Sequence, residues 1–178
     1  GMAALINYSA TSAIGFFMSL YLQYLKGFES RTAGLIMISQ PLAMTVLSPL
    51  AGRLSDKYNS GVIASIGMGL TATGLLLLCF ITPATQVYTI VALLIIMGTG
   101  FGLFSSPNSN AIMSSVEKRY LGVASGVVGT MRMVGQMLSM GIAMMLIALF
   151  IGKKPIDTST YPGLVSAMRT GFVIFSIL

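Results

Sequence analysis

The sequence predicts an all-α membrane protein, a bundle of six transmembrane helices. Three observations carry this. The chain of 178 residues is 55% hydrophobic and only 8% charged, against about 25% charged in an ordinary soluble domain. Ten Lys/Arg and four Asp/Glu cannot form the polar skin that a soluble fold of this size needs. The charges also leave long gaps, at residues 1–25, 32–52, 58–116 and 133–152. Finally, these gaps have the right length: about 20 apolar residues cross the hydrocarbon core as a helix, with every backbone group paired within the segment. They are too long and too continuous for barrel strands, which need about 10 residues of alternating pattern.

The spans follow in order. The first covers 3–25. It lacks the basic leader and the cleavage site of a signal peptide, so it is read as a span. The second covers 31–54 and carries Gln40-Pro41 and Ser48-Pro49; each proline frees a backbone carbonyl and favours a kink. The run 58–116 is too long for one crossing, and Thr82-Pro83-Ala84-Thr85-Gln86 divides it into spans at 61–82 and 87–115. The fourth span holds Gly98, Gly100, Gly102 and Pro107, the composition of a bendable helix. The fifth covers 120–151. The sixth, 163–178, starts after Tyr161-Pro162-Gly163 and is still apolar at Leu178, so it is expected to continue. Gly98-x-x-x-Gly102 and Gly122-x-x-x-Gly126 are each expected to admit a close helix neighbour.

Several functions are disfavoured. The net charge of +6 does not indicate a nucleic-acid partner, because no basic cluster exceeds two adjacent residues (Lys118-Arg119, Lys153-Lys154). One cysteine, Cys79, allows no internal disulfide. With no His and four acids, no metal site is expected, nor any other cofactor. Enzyme chemistry lacks a paired acid within a span or a Ser with a base. Orientation does not follow from charge: Arg53, Lys57, Lys118 and Arg119 on one side balance Lys26, Arg31, Lys153 and Lys154 on the other.

The polar residues inside spans carry the functional signal, because each needs protein or water around it. On the fifth span Ser125, Gly129, Arg132, Gln136, Ser139 and Ala143 share one helical face. Burying Arg132 at mid-depth costs about 2.5–3.5 kcal/mol, so it should not face lipid. It either contacts a substrate or coupling group in a cavity, or anchors neighbouring helices. On the first span Tyr8, Ser12, Gly15, Ser19 and Gln23 share a face that can line a cavity or glue helices. Gln40 can bond a ligand or the turn broken by Pro41. Thr99, Leu103, Ser106 and Asn110 share a face of the fourth span. Glu29, Asp56, Glu117 and Asp157 all fall in loops or at helix ends, so these six spans contain no evident proton carrier.

Gly52-Arg53-Leu54-Ser55-Asp56-Lys57 resembles the core of the signature loop of major facilitator superfamily transporters, Gly-x-x-x-Asp-Arg/Lys. The basic segment that usually follows is replaced by Tyr58-Asn59-Ser60-Gly61, as in the second-half copy of that loop. Asn7-Tyr8-Ser9-Ala10, Ser19 to Tyr24, Ala33-Gly34-Leu35 with Gln40-Pro41, Ser106-Pro107-Asn108, and Gly122 to Gly126 with Arg132 resemble the fourteen-helix drug:proton antiporter family, the EmrB and QacA class. The resemblance implies the C-terminal six-helix half of a major facilitator fold. It also implies an N-terminal lobe elsewhere, holding the proton-linked acids, and cytoplasmic loops after the second and fourth spans. Gly52, Arg53 and Asp56 would then form a conformational latch, with Asp56 at a neighbouring helix N-terminus.

The expected function is proton-coupled efflux of drugs or other amphiphilic small molecules, cationic ones among them, by alternating access across a prokaryotic cell membrane. Tyr8, Ser12, Gln23, Gln40, Asn110, Arg132 and Gln136 are the cavity or coupling candidates. Fourteen Met residues suit an adaptable pocket. A narrow-substrate metabolite or lipid exporter of the same fold fits these residues too, as does a non-transporting membrane scaffold or gene remnant.

Overall fold

The structure, a computed structural model, describes residues 2–152, 156 and 160–177, with side chains from Asn7 onward. Lys153, Lys154 and Asp157 of the charge map lie outside the described residues. The described chain is helical, with no strand. Helix α1 (Met2–Leu20) widens into a π turn at Tyr21–Leu25. Then come α2 (Ser30–Met37), α3 (Ser39–Lys57), α4 (Ser60–Leu78), α5 (Val87–Ser114), α6 (Leu121–Phe150) and α7 (Tyr161–Ile177). A single 3-10 turn, Lys118–Tyr120, leads into α6. Among the described residues, four stretches are long and apolar enough to cross a membrane: Ser30–Lys57, Ser60–Leu78, Val87–Ser114 and Lys118–Phe150.

Local chemistry explains the breaks. The run expected at 31–54 is carried by α2 and α3, which meet at a turn at Ile38. Pro41 has no N–H to give the Met37 carbonyl, so the ladder fails there. Beside this break the Ser39 hydroxyl donates to the Ile36 carbonyl at 2.7 Å. Asn59 caps α4, its Oδ1 accepting from the Gly61 N–H at 2.8 Å. Gly27 (φ 69°) and Gly152 (φ 72°) supply the left-handed turns that end the first span and α6.

The helices form two sheaves. In one, α5 is wedged between α3 and α4; in the other, α1 packs with α6 and α7, and α4 against α7 joins the two. Glycines set the first sheaf. A Cβ on Gly98 would strike the Gln40 carbonyl oxygen of α3, and one on Gly102 would lie 3.2 Å from the Met44 carbonyl oxygen. On the opposite side of α5, a Cβ on Gly100 would lie 2.5 Å from the Thr71 hydroxyl, and one on Gly67 of α4 would lie 2.6 Å from the Phe104 nitrogen. Lipid gives apolar side chains little reason to cluster, so close backbone approach through small residues holds these helices. Gly122 and Gly126 behave differently: nothing lies within 4 Å of a Cβ at either. The buried residues of α6, Gly135, Ser139, Ala143 and Leu146, all come later in the helix.

The second sheaf is locked by aromatic packing. Phe17 and Phe172 meet edge to face at 5.8 Å, and Phe17 presses on Gly171. Between the sheaves, the Tyr21 hydroxyl donates to the Thr82 carbonyl at 2.6 Å, and the Cys79 thiol lies 3.9 Å from the Arg169 carbonyl. The Lys26 ammonium donates to the Pro83 carbonyl at 2.7 Å and also to that of Thr85. Lys26→Met should therefore lower the melting temperature of the detergent-solubilised protein by a few degrees. An unchanged melting curve would show that the clamp adds no stability.

Candidate functional site

A cavity of about 210 Å³ opens where the two sheaves meet. From the α1–α6 side come Asn7, Tyr8, Thr11, Arg132 and Gln136; from the α3–α5 side come Met44, Phe101 and Ser105. Tyr8 is its hub. The residue is 7% exposed, its hydroxyl lies 3.1 Å from Ser105 Oγ, and its ring meets Phe104 edge to face at 6.5 Å. The Arg132 guanidinium carbon sits 5.8 Å from the Tyr8 ring centroid, within cation–π reach. Gln136 follows one turn later on the same face of α6.

The charge is one-sided. Among the described residues no carboxylate lines this cavity. Glu29, Asp56 and Glu117 are all exposed, and Glu117 pairs locally with Arg119 at 2.9 Å. The Arg132 side chain is itself exposed, not buried. The Asn7 Oδ1 atom is buried and has no hydrogen-bond partner.

The candidates read from the sequence divide. Tyr8, Arg132 and Gln136 come together here. Ser12 is half-buried on α1 but does not line the cavity. Gln23 is occupied near the α1–α2 turn, donating to Ser19 Oγ at 2.8 Å and accepting from Ser30 Oγ at 2.9 Å. Gln40 is half-buried, and its backbone meets Gly98. Asn110 lies in a separate polar cleft with Ser55, Asp56, Ser60, Met113 and Ser114, its amide donating to Ser55 Oγ at 3.4 Å. Gly52 packs against Ser106, where a Cβ would lie 3.1 Å from the hydroxyl. Arg53 and Asp56 are exposed. Asp56 shares its cleft with Ser60, the first residue of α4, while Asn59 makes the cap.

Sequence reasoning passed over Asn7, Thr11 and Ser105 as cavity residues. Asn7 and Thr11 flank Tyr8 at helical spacing, and Ser105 lies one residue before Ser106 of the noted face, so the signal was helical neighbourhood. The methionines mostly lie elsewhere: Met44 lines the cavity, whereas Met133, Met137, Met144 and Met145 of α6 are exposed.

The described helices form a bundle with apolar outer faces and a polar-lined cavity on an internal seam. The Major Facilitator Superfamily sequence model matches residues 1–178, and the chain belongs to that superfamily. The relatives it matches include named transporters. It is 35% identical over 150 residues to the uncharacterized transporter YebQ of Escherichia coli, covering 84% of this chain and 32% of that protein. It is 30% identical over 125 residues to the riboflavin transporter RibZ of Clostridioides difficile, covering 70% of this chain and 27% of that protein. Over 122 residues it is 26% identical to the multidrug resistance protein Stp of Mycobacterium tuberculosis, covering 68% and 22%. The chain thus spans about a third or less of the length of these relatives.

Proposed function

We propose that this chain is the C-terminal lobe of a proton-coupled exporter of amphiphilic small molecules in a prokaryotic cell membrane, of the fourteen-helix drug:proton antiporter class. The observation that carries the reading is the seam cavity, where Tyr8, Arg132, Gln136 and Asn7 meet in an otherwise apolar bundle. Such a site offers an aromatic plane, a cation and amides to a ligand, and it forms one wall of a binding chamber. The opposite wall belongs to an N-terminal lobe, which also supplies the acids that carry protons. The two lobes rock about the chamber and expose it to each side in turn. Loops 57–60 and 115–120 face the cytoplasm in this arrangement.

The test is gradient-driven flux. The full-length transporter in proteoliposomes should export lipophilic dyes or drugs when a pH gradient is imposed, and a protonophore should abolish it. A folded protein that moves none of a broad panel overturns the drug-export reading. The 30% identity to a riboflavin transporter favours a second reading, a narrow metabolite carrier. Flux of one heterocyclic metabolite without dye export would select it.

Gly52, Arg53 and Asp56 form the latch in this reading. Asp56 sits in the cleft between the ends of α3, α4 and α5, beside the α4 N-terminus, whose dipole favours an anion. Asp56→Asn should slow exchange between the two access states several-fold, with substrate affinity unchanged. Distance measurements between spin labels on the two lobes would read this, and unaltered exchange would discard the latch.

A further inference from the structure

We propose that the ligand of the seam cavity is an organic anion that carries a neutral hydrogen-bond donor beside its charge, with Arg132 taking the anion and Asn7 the donor. The inference rests on the transporter reading and deepens it. Two residues that line the cavity carry it. Arg132 is a cation with five N–H donors; its one described ring contact places the guanidinium carbon 5.8 Å from the Tyr8 ring centroid and occupies none of those donors with an acceptor. No carboxylate lines the cavity among the described residues. Asn7 is 5% exposed, and its Oδ1 is a buried acceptor without a donor. Native interiors rarely leave such an atom unpaired.

A ligand complementary to both has an oxyanion for Arg132 and an O–H or N–H for Asn7. Tyr8 and Phe101 give its aromatic or apolar body a surface. A cationic amphiphile meets the reverse of what it needs on this wall, because its charge faces Arg132 and no described carboxylate lines the cavity to offset the repulsion. This reverses the expectation of cationic substrates drawn from the sequence.

Fluorescein and rhodamine 123 make a discriminating pair, since they share a three-ring scaffold and differ in the sign of charge. Binding is read by fluorescence anisotropy on the full-length transporter in detergent, on variants that remain monodisperse. Fluorescein should bind at least about tenfold more tightly than rhodamine 123, with the difference shrinking at high salt. Arg132→Gln should erase the preference, and Arg132→Lys should keep part of it. At mildly acidic pH, where fluorescein is a monoanion that keeps its phenolic O–H, Asn7→Leu should weaken it several-fold yet leave its O-methyl ether, which lacks the donor, unchanged. Equal or tighter binding of rhodamine 123 overturns the proposal, as does absence of fluorescein binding to the folded wild type. Equal weakening of both dyes by Arg132→Gln also overturns it, since Arg132 then acts without regard to the sign of the ligand's charge. Gradient-driven flux of dyes or drugs reports separately on the export function, which stands or falls without this preference.

Discussion

Gly98→Val is expected to prevent accumulation of the folded protein. The Gly98 face of α5 lies against the backbone of α3, and a side chain there would strike the Gln40 carbonyl oxygen and come within 3.0 Å of the Ala43 Cβ. Backbone cannot turn aside as a rotamer can. The opposite side of α5 offers no retreat, because Gly100 rests on Thr71 and Gly67 of α4. Overpacking a tight core typically costs about 1–3 kcal/mol, occasionally more, and a branched residue between two fixed backbones belongs at or above the top of that range. Gly98→Ala should give a milder loss of the same kind. Gly129→Ala is the control, since nothing lies within 4 Å of its Cβ position. Fluorescence-detected size exclusion after heating would read all three. Wild-type behaviour of Gly98→Val would mean that α3 and α5 do not pack through these glycines.

The second large effect is expected at Tyr8. Tyr8→Ala removes the ring beneath Arg132, the edge contact with Phe104 and the bond to Ser105 together. Deleting a buried aromatic side chain costs about 3–5 kcal/mol, so this variant should lose both stability and transport. Tyr8→Phe keeps the ring and gives up one neutral hydrogen bond, about 1 kcal/mol. It should fold, retain most of its ligand affinity and lose only part of its transport rate. Equal damage from the two variants would place the role of Tyr8 in its hydroxyl, and the aromatic account of the site would fail.

Much of this was legible in the sequence because a bilayer is a severe solvent. Charge-free runs of span length have few structures open to them, and Thr82 to Gln86 marks a real break between helices, whereas Tyr161-Pro162-Gly163, expected to precede the sixth span, is the first turn of α7. The glycine contacts of α5 were legible at Gly98 and Gly102. They were not legible at Gly122 and Gly126, which have the same spacing and no neighbour, since spacing says what could pack and not what arrives. The fifth-span stripe shows the same gap. Ser139 and Ala143 are buried, whereas Ser125 and Arg132 on the same face are open. Periodicity fixes a face, but α6 meets the rest of the lobe along only part of its length. Asn110 and Gln23 were drawn toward the cavity by polarity alone, and local partners hold them elsewhere. Asn7 went unremarked as a cavity residue because an unpaired acceptor is a property of surroundings, which only the packed helices supply.

The seam between the sheaves has a mechanical consequence. Tyr21 on Thr82, Lys26 on Pro83 and Thr85, and Cys79 on Arg169 all bridge it at one end of the bundle. The cavity with its Tyr8–Ser105 bond lies further along. A joint with most of its polar bonds at one end and the Tyr8 contacts with Ser105 and Phe104 further along behaves as a pair of tongs. A small change in the angle between the jaws is magnified with distance from that end, so a ligand closing on Tyr8 would draw together the far tips, where Gly52, Asp56 and the loops beside them lie.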